Sequence, residues 1–349
     1  MNSIKVCDRV YWVGAVDWDV RNFHGHHYST HRGTTYNAYL VLDEKIALVD
    51  SVYTPFFEEM LSRIKGLIDP DQIDYVIANH GEIDHSGGLP EILKIANKAK
   101  LVCTPKGRES LHKHFYGDWD VITVRTGDEI DLGEKRLRFV ETPMLHWPDS
   151  MFTYIEKDAL LLPNDAFGQH LASSGRFDDQ VEMNTIMEEA AKYFANILTP
   201  FSPLIVKKID EITEMNLKIE IIGPSHGIIW RRNPGKIIEA YLRWAKGEGD
   251  QRILVVYETM WGSTGKMARK IVEGIISEGV EARLYNLATD ERTDILKEFL
   301  ESKAMAIGSS TINRGALPHV TSLLEELRGL RFVNKMGAAF GSYGWAGGR

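Results

Sequence analysis

Only two cysteines, Cys7 and Cys103, occur in 349 residues, and no second thiol stands near either of them. Such usage excludes a disulfide framework, an iron–sulfur cluster or a rubredoxin-like module, and it points to a reducing cytoplasm. No apolar run approaches the roughly 20 residues that cross a bilayer. The opening Met1-Asn2-Ser3-Ile4-Lys5 does not read as a signal peptide. With a net charge of −8 and no basic stripe, neither nucleic acid nor a membrane is expected as a partner. The Gly-x-Gly-x-x-Gly fingerprint and the Walker lysine are both missing, which argues against NAD and ATP. There are no internal repeats and no low-complexity tracts.

The remaining composition, 44% hydrophobic and 26% charged, is that of a soluble globular protein. The length exceeds one ordinary core, so two α/β domains are expected. Residues 1–246 read as early strands followed by strands alternating with helices. Strands are expected at Val10–Val16, Tyr36–Leu42, Ile46–Asp50, Tyr75–Asn79, Leu101–Thr104, Leu137–Glu141, Met151–Ile155, Ala159–Pro163 and Lys218–Gly223. Among the expected helices are Pro55–Gly66, Leu89–Ala99, Gly107–Phe115 and Asp179–Leu198. The polar stretch Lys246-Gly247-Glu248-Gly249-Asp250-Gln251-Arg252 reads as a linker. From 252 to 349 strands and helices alternate again, with helices at Lys266–Glu278, Thr293–Ser302 and Val320–Arg328. That rhythm implies a doubly wound parallel sheet.

The densest chemistry is His80-Gly81-Glu82-Ile83-Asp84-His85, directly after an apolar strand. Four ligand-type side chains in six residues suit two metal ions better than one. A sulfur-free set rich in carboxylate favours iron or manganese over structural zinc. Three other apolar strands each end within a few residues of a further ligand type: His146, Asp165 and His226. Ligand sites of open sheets gather at carboxyl ends of strands, so one shared site of seven residues is expected, with Asp165 as the bridge. Any one of the three distant residues alone is more often an ordinary polar group. Their common strand-end context is what ties them to the block.

A second motif follows the strand Ile253–Tyr257. Thr259, Met260, Trp261, Gly262, Ser263 and Thr264 form a turn that opens a helix, and amides and hydroxyls at a helix start hold phosphate. Two later loops follow later strands of the same sheet. One holds Ser309, Ser310, Thr311, Ile312 and Asn313; the other holds Ser342, Tyr343, Gly344, Trp345, Ala346 and Gly347. Tyr343 or Trp345 could stack on a flat ring.

The block from His80 to His85, together with Met144-Leu145-His146-Trp147-Pro148-Asp149-Ser150, Pro163-Asn164-Asp165 and Pro224-Ser225-His226-Gly227, resembles the flavodiiron proteins. These form the oxygen- and nitric-oxide-reducing branch of the metallo-β-lactamase fold. Glu82 stands where hydrolases of that fold carry histidine. The three later loops look like the phosphate loop and two ring loops of flavodoxin. The resemblance implies an αββα sandwich followed by a flavodoxin-like domain that binds FMN. It implies one iron on His80, Glu82, His146 and Asp165 and a second on Asp84, His85, Asp165 and His226. It also places His24 and Tyr193 in a distal pocket.

By the same resemblance, two irons and a reduced FMN supply the four electrons that take O2 to water, or the two that join two NO into N2O. The donor would be a separate rubredoxin or reduced deazaflavin. The assembly would be a head-to-tail homodimer, or a dimer of dimers, with the FMN of one subunit facing the irons of the other. Two rivals stand beside this reading: a dizinc hydrolase such as a thioesterase, and a plain FMN electron carrier. One departure from the family is that its usual final helix, fifth strand and last helix are not found before Arg349, so an exposed sheet edge is expected.

Overall fold

The computed structural model describes residues 2–345. Packing divides the chain into two compact units, one of residues 1–190 and 207–238, the other of 191–206 and 239–349. The stretch 246–252 remains our proposed covalent boundary. By packing, however, the second unit also takes in 191–206 and most of the helix Pro234–Ala245.

The first unit is a sandwich of two sheets. One has the strand order Ile4–Cys7, Val10–Trp12, Tyr39–Val41, Ile46–Val49, Ile73–Ile77, Lys100–Cys103, Val121–Thr123. The other runs Glu129–Asp131, Arg136–Glu141, Met151–Ile155, Leu160–Leu162, Ile221–Ile222. Alternation along each strand decides which layer a side chain joins. Ala47 and Val49 point into the core between the sheets, where Leu137, Phe139, Met151 and Leu160 meet them. Leu48 points the other way, into the layer packed with Met60, Leu61 and Ile64 of the helix Phe57–Lys65 and with Leu89 and Ile92 of Leu89–Ile95.

Several expected elements are corrected. The strand expected over Val10–Val16 is two: Val10–Trp12 stays in the large sheet, while Ala15–Asp17 pairs with Thr34–Tyr36. The break falls at Gly14, where an added Cβ would lie 2.1 Å from the Tyr36 carbonyl oxygen. The strand Tyr36–Leu42 divides in the same way. The helix expected from Asp179 begins at Met183, because Asp178 turns back to accept from the backbone N–H groups of Arg231, Arg232 and Asn233. A short hairpin, Asn22–Phe23 with Tyr28–Ser29, was not expected at all.

The second unit carries a four-stranded parallel sheet ordered Glu281–Asn286, Asp250–Tyr257, Ser302–Ser310, Met336–Ser342. Leu254, Val256 and Met305 pack on Ile295, Leu296, Phe299, Val320 and Leu323 of the helices Arg292–Leu300 and Pro318–Leu330. The helix expected at Thr293–Ser302 ends at Leu300, since Ser302 already begins a strand. Ser309, Ser310 and Ser342, read as loop residues, are the last residues of strands. The edge strand Met336–Ser342 is exposed along most of its length. Among the described residues no helix is long and apolar enough to cross a membrane.

Candidate metal centre

The strands Arg136–Glu141 and Leu160–Leu162 both run antiparallel to the Met151–Ile155 strand between them, and Ile221–Ile222 runs parallel to Leu160–Leu162. Their carboxyl ends therefore share one edge. The Met151 N–H donates to the Asn79 carbonyl across 2.9 Å, which brings the end of Ile73–Ile77 in the other sheet to that same edge. The sites following these four strand ends are those of His80, His146, Asp165 and His226.

His80, Glu82, His146 and Asp165 form one cluster whose ligand atoms all lie within 4.8 Å of one another; Asp84, His85 and His226 form a second. His80 Nε2 is 3.2 Å from Glu82 Oε2, and His146 Nε2 is 3.5 Å from the same oxygen. His226 Nε2 lies 3.0 Å from Asp84 Oδ2, and His85 Nε2 3.4 Å from it. Asp165 faces both clusters: Oδ2 is 3.3 Å from His146 Nε2, and Oδ1 is 3.0 Å from His85 Nε2. The two oxygens of one carboxylate thus divide between two clusters.

Electrostatics bind the group together. Burial by itself would raise the Asp165 carboxyl; His85 and His146 beside it hold it well below the usual carboxylate range. Burial likewise opposes charge on His80, yet the hydrogen bond it donates to Asp149 raises it well above an ordinary imidazole. His85, pressed down by burial and up by Asp84 and Asp165, rises to about 9. Asp84 Oδ1 and His85 Nδ1 are buried without a hydrogen-bond partner, and His85 Nε2 and Asp165 Oδ2, though close to their neighbours, make no contact of hydrogen-bond geometry. Buried polar atoms left so are costly. Oxygen and nitrogen atoms converging on two points, with no sulfur among them, fit two hard divalent metals such as iron.

The supporting residues were only partly legible. Asp149 accepts from His80 Nδ1 at 3.2 Å and from the Gly81 N–H at 2.7 Å, which turns Nε2 toward the metal position. His226 Nδ1 donates to the Thr35 carbonyl oxygen at 2.6 Å, to the same effect. Behind His226, Gly227 has φ +79°, and a Cβ there would lie 2.0 Å from Gln169 Oε1. Asp50, 3% exposed, accepts from the N–H and side-chain amide of Asn79 and from Asn164 Nδ2. Asn79 and Asn164 each precede a ligand, so one carboxylate ties two ligand-bearing strand ends together. Asp50 follows the apolar strand Ile46–Val49, and the strand-end signal that found the ligands would have found it too.

His24 lies with Nε2 3.2 Å from Glu82 Oε1, leaving Oε2 to His80 and His146. The hydrogen bond to Glu82 outweighs burial and raises the His24 imidazole above its ordinary value. Tyr193 is buried at 2% exposure in the second unit, where the helix Met183–Tyr193 passes into the π-helical turn Phe194–Leu198.

In the second unit the three loops meet. The Thr264 hydroxyl is 2.9 Å from Ser310 Oγ and 2.8 Å from Ser342 Oγ. Ser263 Oγ is 3.0 Å from Ser342 Oγ. Thr259 Oγ1 accepts from the Gly262 N–H, and Gly262 takes φ +86° with open space where a side chain would stand. That open, amide-lined start of the helix Ser263–Ser277 suits a phosphate. Around it Met260, Trp261, Tyr343 and Trp345 present exposed faces for a flat ring. Thr311, Ile312 and Asn313 flank them, with Ile312 paired to Gly315, and Gly344 stands between the two aromatics. Ala346 and Gly347 lie outside the described residues.

Residues 34–227 match the family described as ODP family beta lactamase, and 255–348 match flavodoxin. A nitric oxide reductase of Moorella thermoacetica is 54% identical over 346 residues, spanning 99% of this chain and 87% of the relative. The rubredoxin oxygen:oxidoreductase of Desulfovibrio gigas superposes with a TM-score of 0.97 at 38% identity, covering 99% of this chain and 87% of that one. The flavodiiron protein of Giardia intestinalis gives 0.95 at 36%, covering 99% and 85%.

Proposed function

The chain belongs to the flavodiiron family, and from that premise we propose that it reduces NO to N2O with electrons passed from FMN to an iron pair. It is an oxidoreductase, a diiron flavoprotein acting on NO, O2 or both. A dizinc hydrolase is not favoured, because these relatives are reductases. The observation that carries the reading is the division of Asp165 between two histidine–carboxylate clusters. NO is put first because the 54% identical relative is named for it. O2 is the second reading, favoured by the likeness to an oxygen:oxidoreductase.

His80, Glu82, His146 and Asp165 would hold one iron, and Asp84, His85, Asp165 and His226 the other. When bound, the irons and reduced FMN would supply the electrons, two for joining two NO into N2O and four for taking O2 to water. The chain's own groups do the rest. Asp149 and the Thr35 carbonyl keep protons on the far nitrogens of His80 and His226. Asp50 keeps two ligand loops in register. His24 presents Nε2 to the Glu82 carboxylate at the partly exposed rim, and Tyr193 is proposed as a further catalytic residue on the family likeness alone. Thr259 to Thr264 would take the FMN phosphate, with the 309–313 and 342–347 loops at the ring.

Electrons would come from a separate rubredoxin or a reduced deazaflavin, and the working assembly would be a head-to-tail homodimer or a pair of them. The two free cysteines, Cys7 half-buried and Cys103 buried, support a reducing cytoplasm. The test is anaerobic stopped-flow of the reduced protein against NO and against O2. Rapid flavin reoxidation by NO with N2O formed is expected. Oxidation by neither gas, or an equal rate in an Asp165→Asn variant, refutes the reading and leaves an FMN carrier.

A further inference from the structure

We propose that His170 is a positioning residue for this reaction, the seat on which the hairpin carrying His24 rests above the metal centre. The inference rests on the reductase reading for its kinetic consequence, though not for its geometry. His170 is fully buried and belongs to neither ligand cluster. Its Nδ1 lies 2.8 Å from Thr34 Oγ1, so the ring is pinned to the strand Thr34–Tyr36. Against that ring lie Phe23, at 4.4 Å between centroids and 35° between planes, and Tyr28, at 5.1 Å and 67°.

Phe23 and Tyr28 are cross-strand partners in the hairpin Asn22–Phe23 with Tyr28–Ser29. Two residues per strand are too few to hold a hairpin together in water. Its turn, residues 24–27, is exposed, and a Cβ placed on Gly25 would meet nothing within 4 Å. The His170 imidazole lies beneath both of the hairpin's paired aromatic rings, beside the core contacts of Phe23 and the Thr30 N–H to Arg21 carbonyl bond at the base of the hairpin. His170 also stands 4.8 Å from the His226 ring, and Phe23 stands 5.6 Å from it. The seat is thus built into the wall of the metal site. His24 follows Phe23 directly, and its Nε2 reaches Glu82 Oε1. Any tilt of Phe23 carries His24 away from that carboxylate. Displacements of about 1 Å at such a group cost on the order of a hundredfold in rate.

An ordinary core histidine would give a different result, and the two are separated with intact holoenzyme in four forms: wild type, His170→Ala, His24→Ala and the double variant. Amide hydrogen exchange over residues 22–30, iron and FMN content, and steady-state kcat and KM are measured. His170→Ala is expected to retain iron and FMN and to exchange on the order of tenfold faster across the hairpin. Its kcat should fall as far as that of His24→Ala with KM little changed, and the double variant should be no slower. His170→Phe keeps a flat ring under Phe23 and Tyr28, so slow exchange and most of kcat should return.

Unchanged exchange in His170→Ala overturns the proposal, as do losses that multiply in the double variant. If His170→Ala sheds iron or fails to fold, His170→Phe and His170→Gln decide: slow exchange with Phe and fast with Gln supports the seat, and the reverse overturns it. A wild type that reduces neither gas refutes the reductase reading alone, and the exchange comparison still judges the seat.

Discussion

At the residue scale the centre depends on carboxylates that never touch metal as well as on those that would. Asp149 holds His80 Nδ1 and the Gly81 N–H together. Partners of this kind typically govern metal affinity by about 10- to 100-fold. Asp149→Ala is expected to weaken binding of one of two irons by about that factor, seen as a biphasic loss of iron against a chelator, while the other iron is held as in the wild type. A single residue also sets a pH response far from the centre. Burial, reinforced by Lys303, pushes the Lys335 ammonium down to about 8. The unfolded chain keeps that proton to about 10.4. Between those values the unfolded state binds more protons, so raising the pH favours folding. Denaturant unfolding at pH 7.5 and 9.5 should show wild type gaining on Lys335→Met over that interval. A constant difference between them would contradict it.

At the scale of the element, what matters is where backbone ends are tied. Asp178, 3% exposed, receives the N–H groups of Arg231, Arg232 and Asn233 just before the helix Pro234–Ala245. Removing a buried acceptor leaves donors unsatisfied, at a cost of about 1–3 kcal/mol. Asp178→Ala should lower stability by about 2 kcal/mol in chemical unfolding, with Asp178→Asn intermediate, since an amide oxygen still accepts. The strand ends show the same logic in the ligands. Asp50 reaches Asn79 and Asn164 across different strands, so the two loops cannot shift independently.

At the scale of the whole molecule, the proposed homodimer makes a prediction that no single chain can meet. Gly262→Val, strained at φ +86° and bulky at the phosphate turn, should lose FMN and keep iron. Asp165→Asn should keep FMN and lose the paired metals. Each homodimer is expected to be inactive toward NO. A heterodimer of the two, isolated with separate tags, has one intact flavin facing one intact metal pair and should recover activity at one of its two sites. No recovery would mean that electrons stay within a chain.

Local patterns needed only neighbouring residues, and those were readable. Runs such as Ile46-Ala47-Leu48-Val49 mark strands buried on both faces because four consecutive apolar residues suit no other place in a sheet, and His80 to His85 points to a metal site because four ligand-type side chains lie within six residues. The phosphate turn is legible for the same reason. The split of Val10–Val16, the late start of the helix after Asp178 and the seating of the Asn22–Ser29 hairpin were not readable, because each depends on a partner more than a dozen residues away in sequence: Tyr36 for Gly14, Arg231 for Asp178, His170 for Phe23. Composition and spacing pointed to seven residues as the proposed ligands. Folding alone turned Asp165 so that one oxygen faces each cluster, since the direction of a side chain is set by strands that pair across the sheet rather than by its neighbours in the chain.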